Sequence, residues 1–183
     1  MSKGVHWIIS CCIALIAIFS CQVGAQVKRL SPSEGLSQSY VNTMLLDDNG
    51  YLWLSTEGGL NRYDGYQVVS INGPNGELEE AIIDCIYQDP AGNIWIASLL
   101  AGLFKYDPST DTYQQFISQP TSEKQILSQS VFSMVAVDDK TLWIGRGRDF
   151  AKLDIETGKI TSLFELPKEY ENTLVRELFH YNG

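Results

Sequence analysis

Beyond residue 25, short runs rich in Val, Ile, Leu, Tyr and Trp are separated by clusters of Asp, Asn, Gly, Pro and Ser. Such runs between turn residues mark β-strands, and no window of helical period competes with them. Four runs follow one another and then recur twice. The first of each set lies at 41–46, 83–88 and 132–137, and the second at 52–56, 94–98 and 142–145. The third lies at 60–63, 103–106 and 150–153, and the fourth at 67–71, 113–117 and 159–164. The pattern predicts an all-β chain of short strands. Asn49-Gly50 suits a tight hairpin with positive φ at both central residues. Residues 107–111 and 154–158 suit slightly longer hairpin loops.

The period is visible in the residues themselves. Asp47-Asp48-Asn49-Gly50-Tyr51-Leu52-Trp53 answers to Asp89-Pro90-Ala91-Gly92-Asn93-Ile94-Trp95, and to Asp138-Asp139-Lys140-Thr141-Leu142-Trp143 with a turn one residue shorter. The tryptophans are 42 and 48 residues apart. Gly59-Leu60-Asn61-Arg62-Tyr63-Asp64 recurs as Gly102-Leu103-Phe104-Lys105-Tyr106-Asp107, and loosely as Phe150-Ala151-Lys152-Leu153-Asp154. Leu36-Ser37-Gln38-Ser39 recurs as Leu127-Ser128-Gln129-Ser130. Four-stranded units at this spacing describe β-propeller blades. They fall at about 36–71, 78–117 and 127–164, with the start of a fourth at 171–183. Trp53, Trp95 and Trp143 are read as wedge-fillers between blades. Gly50, Gly92, Gly59, Gly102, Asp64, Asp107 and Asp154 complete the structural repeat. Asp89 and Asp138, with Asp47 or Asp48, are read as turn caps.

The resulting pattern, V-x-x-[ML]-x-x-D-x-x-G-x-L-W-[LI]-[SG]-T-x-x-G-L-x-[RK]-Y-D, resembles the two-component regulator propeller repeat. Residues 41–64 follow it closely. Residues 83–107 follow it with Ser98 for the Thr and one extra residue in the next loop. Residues 132–154 depart from it, with Arg146 for the Thr and Asp149-Phe150 for Gly-Leu. The resemblance implies an extracytoplasmic sensory region of a membrane receptor. In such a receptor the output is a histidine kinase or a diguanylate cyclase, and the full-length protein is expected to be a homodimer. About three and a half blades fall short of the roughly 4–8 that close a ring. The expectation is therefore an N-terminal piece of a longer protein, with self-assembly of partial rings as the alternative.

Residues 1–25 read as an export signal, with Lys3, an apolar run at 8–19, and small residues at Val23-Gly24-Ala25 for cleavage. An uncleaved anchor and a lipoprotein signal at Cys21 are the other readings. The run is shorter than the roughly 20 residues that span a bilayer, and no span is expected in the mature segment. The expected location is the periplasmic side of the cytoplasmic membrane. Cleavage would also remove Cys11, Cys12 and Cys21, which leaves Cys85 in an apolar run as a buried, inert thiol.

Composition then narrows the function. The 183 residues hold 13 Lys+Arg against 22 Asp+Glu, a net charge of −9, with 44% hydrophobic residues. The apolar fraction suits a folded chain, and the acidic balance argues against nucleic acid and anionic lipid as partners. With the signal gone, the charge is 12 − 22 = −10.

In a four-stranded blade, the loop between strands two and three shares a face with the inter-blade connection. That face gathers 56–59, 98–102 and 146–149, with 37–40, 78–81 and 129–131. Ligand-binding candidates on it are Glu57, Asn61, Arg146, Arg148 and Asp149. The two arginines suit a carboxylate, sulfate or uronate, or else they pair with Glu57, Asp149 or another surface acid. An oligosaccharide or other small extracytoplasmic solute is the expected ligand. The mature chain holds one histidine, His180, no Cys/His cluster and no G-x-S-x-G elbow. No catalytic residue, metal or cofactor is expected. The leading reading is a sensor segment, and the alternatives are an exported lyase-like propeller enzyme or a passive binding scaffold.

Overall fold

The computed structural model describes residues 27–99, 101–116, 131–147 and 149–165, and single positions at 167, 169, 175 and 178. The segment expected to be an export signal, Arg148, the 117–130 stretch with the Leu127-Ser128-Gln129-Ser130 echo, and all but two positions of the fourth-repeat opening lie outside them. Among the described residues there are twelve strands. They are β1 (Val41–Leu46), β2 (Leu52–Thr56), β3 (Gly59–Tyr63) and β4 (Val68–Ile71), then β5 (Ile83–Gln88), β6 (Ile94–Ser98), β7 (Gly102–Asp107) and β8 (Thr112–Phe116), then β9 (Val131–Asp138), β10 (Thr141–Arg146), β11 (Asp149–Asp154) and β12 (Ile160–Glu165). Each set of four forms one antiparallel sheet in chain order. The chain is an all-β partial propeller, and the three sheets are its blades. A short 3-10 turn, Pro32–Glu34, precedes the first strand.

The innermost strands β1, β5 and β9 lie side by side. Asn42 Nδ2 donates to Ile83 O at 2.8 Å and so ties the first of them to the second. Every inner strand carries a register shift at the same place, between Val41 and Thr43, Ile83 and Cys85, and Val131 and Ser133. The extra residue is Asn42, Asp84 or Phe132. Such a bulge bends the strand and sharpens its twist.

The core lies between blades. Trp53, Leu60, Ile71 and Leu78 of the first blade and its connection pack with Ile83, Ile86, Ile94, Ile96, Phe104 and Tyr106 of the second. Trp95, Ala97 and Leu103 do the same with Val131, Met134, Leu142, Ile144, Ala151 and Leu153 of the third. Trp53 and Trp95 are 0% exposed. The Trp53 ring meets Tyr106 edge-on with centroids 5.7 Å apart, and Trp95 stacks on Phe116 at 5.3 Å.

The first hairpins differ from the expectation of a two-residue turn. Asp47 N donates to Tyr51 O and Gly50 N to Asp47 O, which closes a three-residue loop with Gly50 at φ +83°. Asn49 is not at positive φ, because the turn has one residue more than the tightest hairpin. The extra length lets the Asp47 carboxylate reach back. Oδ1 accepts from Asn49 N and Tyr51 N at 2.9 Å, while Oδ2 accepts the Trp53 indole N–H at 2.8 Å. Asp89 repeats the arrangement with Ala91 N, Asn93 N and the Trp95 indole. The third blade has a shorter turn, in which Asp138 accepts from Lys140 N.

Candidate functional site

The chain places the expected loops on one face. β2 ends there, β3 begins there, and the connection from β4 to β5 crosses it, as shown by the bridge between Gly59 and Glu79. Leu99 N donates to Ile82 O at the same level of the second blade. Loops held on a rigid sheet frame are where a ligand is usually met.

Gly59 explains how the first loop is built. It sits at φ +117°, and an added Cβ would lie 3.1 Å from Leu78 O. Glycine lets β3 start directly beneath the connection. Thr56 closes the turn, since its Oγ1 donates to Gly59 O at 2.8 Å and accepts from Gly58 N at 3.1 Å. Ser37 joins from the N-terminal segment, with its Oγ 2.9 Å from Thr56 Oγ1.

Asn61 is part of this knot, which corrects its reading as a ligand contact. Its side chain is 0% exposed. Oδ1 accepts from Ser37 N at 3.0 Å, and Nδ2 donates to Ser37 Oγ at 2.7 Å. In the second blade the matching residue is the buried Phe104, packed against the first blade. The polar residue exists because its partner is the N-terminal strap rather than an apolar blade. The Leu36-Ser37 echo carried that signal, but one strand of sequence does not reveal what lies across from it.

Arg146 and Asp149 are brought together, and each satisfies the other. Arg146 Nε donates to Asp149 Oδ1 at 3.1 Å and its Nη2 to Oδ2 at 2.7 Å, in a bidentate ion pair that Ser162 Oγ joins at 3.2 Å. Arg146 is 9% exposed. The pair replaces the Thr56 closure of the first blade, so the guanidinium fork is spent on holding its own loop. Of the two readings of Arg146, the structure holds the pairing with Asp149. Gly147 O accepts from Val175 N at 2.6 Å just beyond.

Glu57 stays open at the loop tip, and Glu79 and Glu80 are exposed on the neighbouring connection. Glu80 holds φ +57°. The described part of this face therefore presents carboxylates, which accept hydrogen bonds from hydroxyl or amino groups. Cys85 lies on inner strand β5 with Sγ 3.9 Å from Met134 O, and burial pushes its thiol pKa up. Among the described residues no group of three or more His, Cys, Asp or Glu is placed to hold a metal ion. No helix there is long and apolar enough to cross a membrane.

The opposite face carries the second repeated cap. Asp64 accepts from Tyr66 N and Gln67 N, Asp107 from Ser109 N and its hydroxyl, and Asp154 from Thr157 N and its hydroxyl. These bonds favour the ionised form and hold all three carboxyl groups below their usual pKa. The repeated Asp at the end of each third strand is thus a turn cap.

Comparison with known proteins agrees with this architecture. The two component regulator propeller family matches residues 35–58 and 76–99. The extracellular domain of a hybrid two component system from B. thetaiotaomicron superposes with a TM-score of 0.64 and 30% identity, over 75% of this chain and 20% of that one. A second such extracellular domain from the same organism gives 0.60 and 18%, over 76% and 18%. Virginiamycin B lyase from Staphylococcus aureus gives 0.53 and 14%, over 73% and 43%, a likeness of fold alone. No curated protein sequence matches significantly. The chain spans about a fifth of the length of the two B. thetaiotaomicron domains. Residues 35–58 and 76–99 are two-component regulator propeller repeats, and the chain is a propeller segment built on that repeat.

Proposed function

We propose that this chain is the extracytoplasmic ligand-sensing segment of a membrane signal-transduction receptor, exported to the periplasmic side of the cytoplasmic membrane. The observation that carries the reading is its 30% identity to the extracellular domain of a hybrid two component system, over 75% of its length. The loop face with Glu57, Glu79 and Glu80 is the surface that meets the ligand. Those carboxylates favour a neutral, hydroxyl-rich solute such as an oligosaccharide over an acidic one. Occupancy of the face changes how two receptor chains associate, and a kinase or cyclase across the membrane reads the change.

Thermal melting of the exported protein against neutral and acidic oligosaccharides tests this. A ligand at a hundredfold excess over its Kd adds about 2.7 kcal/mol, a shift of several degrees. A shift with one neutral class that shrinks in Glu57→Ala supports the reading. A flat response to the whole panel overturns it.

A further inference from the structure

We propose that Asn72 is a site of spontaneous modification, losing its side-chain amide to give aspartate and isoaspartate in the connection between β4 and β5. Three Asn-Gly steps fall among the described residues, at 49–50, 72–73 and 75–76. Glycine carries no Cβ, so in each step its backbone nitrogen lies open to the asparagine side chain before it. The Gly73 nitrogen loses its proton to hydroxide and attacks Asn72 Cγ. A bond forms between them, the bond from Cγ to Nδ2 breaks, and Nδ2 takes a proton from water and leaves as ammonia. Water then opens the cyclic imide at either carbonyl. Opening at Cγ gives aspartate. Opening at the main-chain carbon gives isoaspartate, whose backbone is longer by a methylene.

The fold sets the three steps apart. At 49–50 the nucleophile is engaged, since Gly50 N donates to Asp47 O and Asn49 N to Asp47 Oδ1, each at 2.9 Å. Asp47 is 4% exposed and also holds the Trp53 indole, so this hairpin resists local opening. At 75–76 the leaving group is engaged. Asn75 Nδ2 donates to Glu77 Oε1 at 2.7 Å, and Asn75 N donates to Oε2 at 2.8 Å. The same two bonds hold the Glu77 carboxyl below its usual pKa, so it stays an ionised acceptor. At 72–73 neither group is engaged. Among the described residues Asn72 bonds through its main-chain carbonyl alone, and Gly73 N donates to nothing. The Asn72 residue is exposed to the water that the reaction consumes.

Reaction at Asn72 reaches the core. Asn72 O accepts from Leu78 N at 2.9 Å, and Leu78 is 0% exposed between the first two blades. In isoaspartate the main chain passes through Cγ. The carbonyl that anchors Leu78 then becomes part of a pendant carboxylate, and the connection lengthens. Both products also add a negative charge to the connection that carries Glu79 and Glu80.

Incubation of the full chain in warm, mildly alkaline buffer, followed by peptide mapping with fragment-ion mass spectrometry, tests the proposal. Asn72 converts several-fold faster than Asn75 and Asn49, with isoaspartate among the products. In urea, where the hydrogen bonds are gone, the three rates draw together. Glu77→Ala frees the Asn75 amide and raises its rate in the folded chain toward that of Asn72, while Asn49 stays slow. Asn72 left intact while the unfolded chain converts, Asn49 or Asn75 converting first, or the same spread of rates in urea overturns the proposal. An unchanged Asn75 rate in Glu77→Ala overturns it as well.

Discussion

At the scale of single residues, the recurring Asp and Trp form one unit. Asp89 accepts the Trp95 indole N–H and two backbone amides while 1% exposed. Asp89→Ala leaves those donors buried without an acceptor and should cost about 1–3 kcal/mol, measured by urea denaturation. Combined with Trp95→Phe, the loss should fall short of the sum of the two, because both remove the same bond. Asn61 behaves similarly. Asn61→Leu strips Ser37 N of its acceptor and should destabilise by a comparable amount, about 1–3 kcal/mol, while leaving any ligand response at Glu57 intact. The sequence marked Asp47, Asp89 and Asn61 by position. It read the two aspartates as turn caps, but for Asn61 it did not separate a buried clamp from a ligand contact, because that depends on Ser37, 24 residues away.

At the scale of elements, the hairpins and strand starts decide how much freedom glycine must supply. Gly50 holds φ +83° with nothing near an added Cβ, so Gly50→Ala should cost only the left-handed backbone term, about 1–2 kcal/mol. Gly59 holds φ +117° against Leu78 O, and Gly59→Ala should cost clearly more, because strain and contact add. Thermal melting of the two variants side by side checks the order. A third device recurs on the second and third strands of the first two blades. Trp53 pairs Arg62 and Trp95 pairs Lys105 across the strands, with the cations 5.8 and 5.7 Å from the ring centroids. The [RK] of the repeat thereby covers a tryptophan face. The strand pattern was legible almost to the residue because short apolar runs are bounded by turn residues and recur in register, although strands such as β6 are buried along their whole length. The three-residue turn was not, because Asn-Gly serves either turn length until the flanking register is known.

At the scale of the whole molecule, stability should fall at both ends of the pH range. Burial between blades is the main cause that pushes the Tyr113 phenol up to about 12. The folded state therefore resists ionisation, so the contribution is complete below pH 10 and is lost as pH rises from 10 to about 12. Tyr113→Phe should flatten that alkaline limb in denaturant midpoints. The turn-cap carboxyls of Asp64, Asp107 and Asp154 act in the opposite sense. Their lowered pKa values give stability that is present above the ordinary carboxylate range and is lost as pH falls through it and below.

The sequence by itself determined the all-β class, the four-stranded unit, its length and its wedge of tryptophans. Short apolar runs and turn residues are local quantities, and the recurrence of the same sentence at 42 and 48 residues is read directly along the chain. Only the tertiary structure decided which polar residues serve the fold. Asn61 faces a strap 24 residues away in the chain, whereas Arg146–Asp149 and Asp47–Trp53 lie within single hairpins and needed the folded turn to show which side chains close on each other. The same packing sealed the forward faces of the first two blades and left Met44, Leu46 and Phe164 open at the ends, since a blade face is buried only when another blade is set against it.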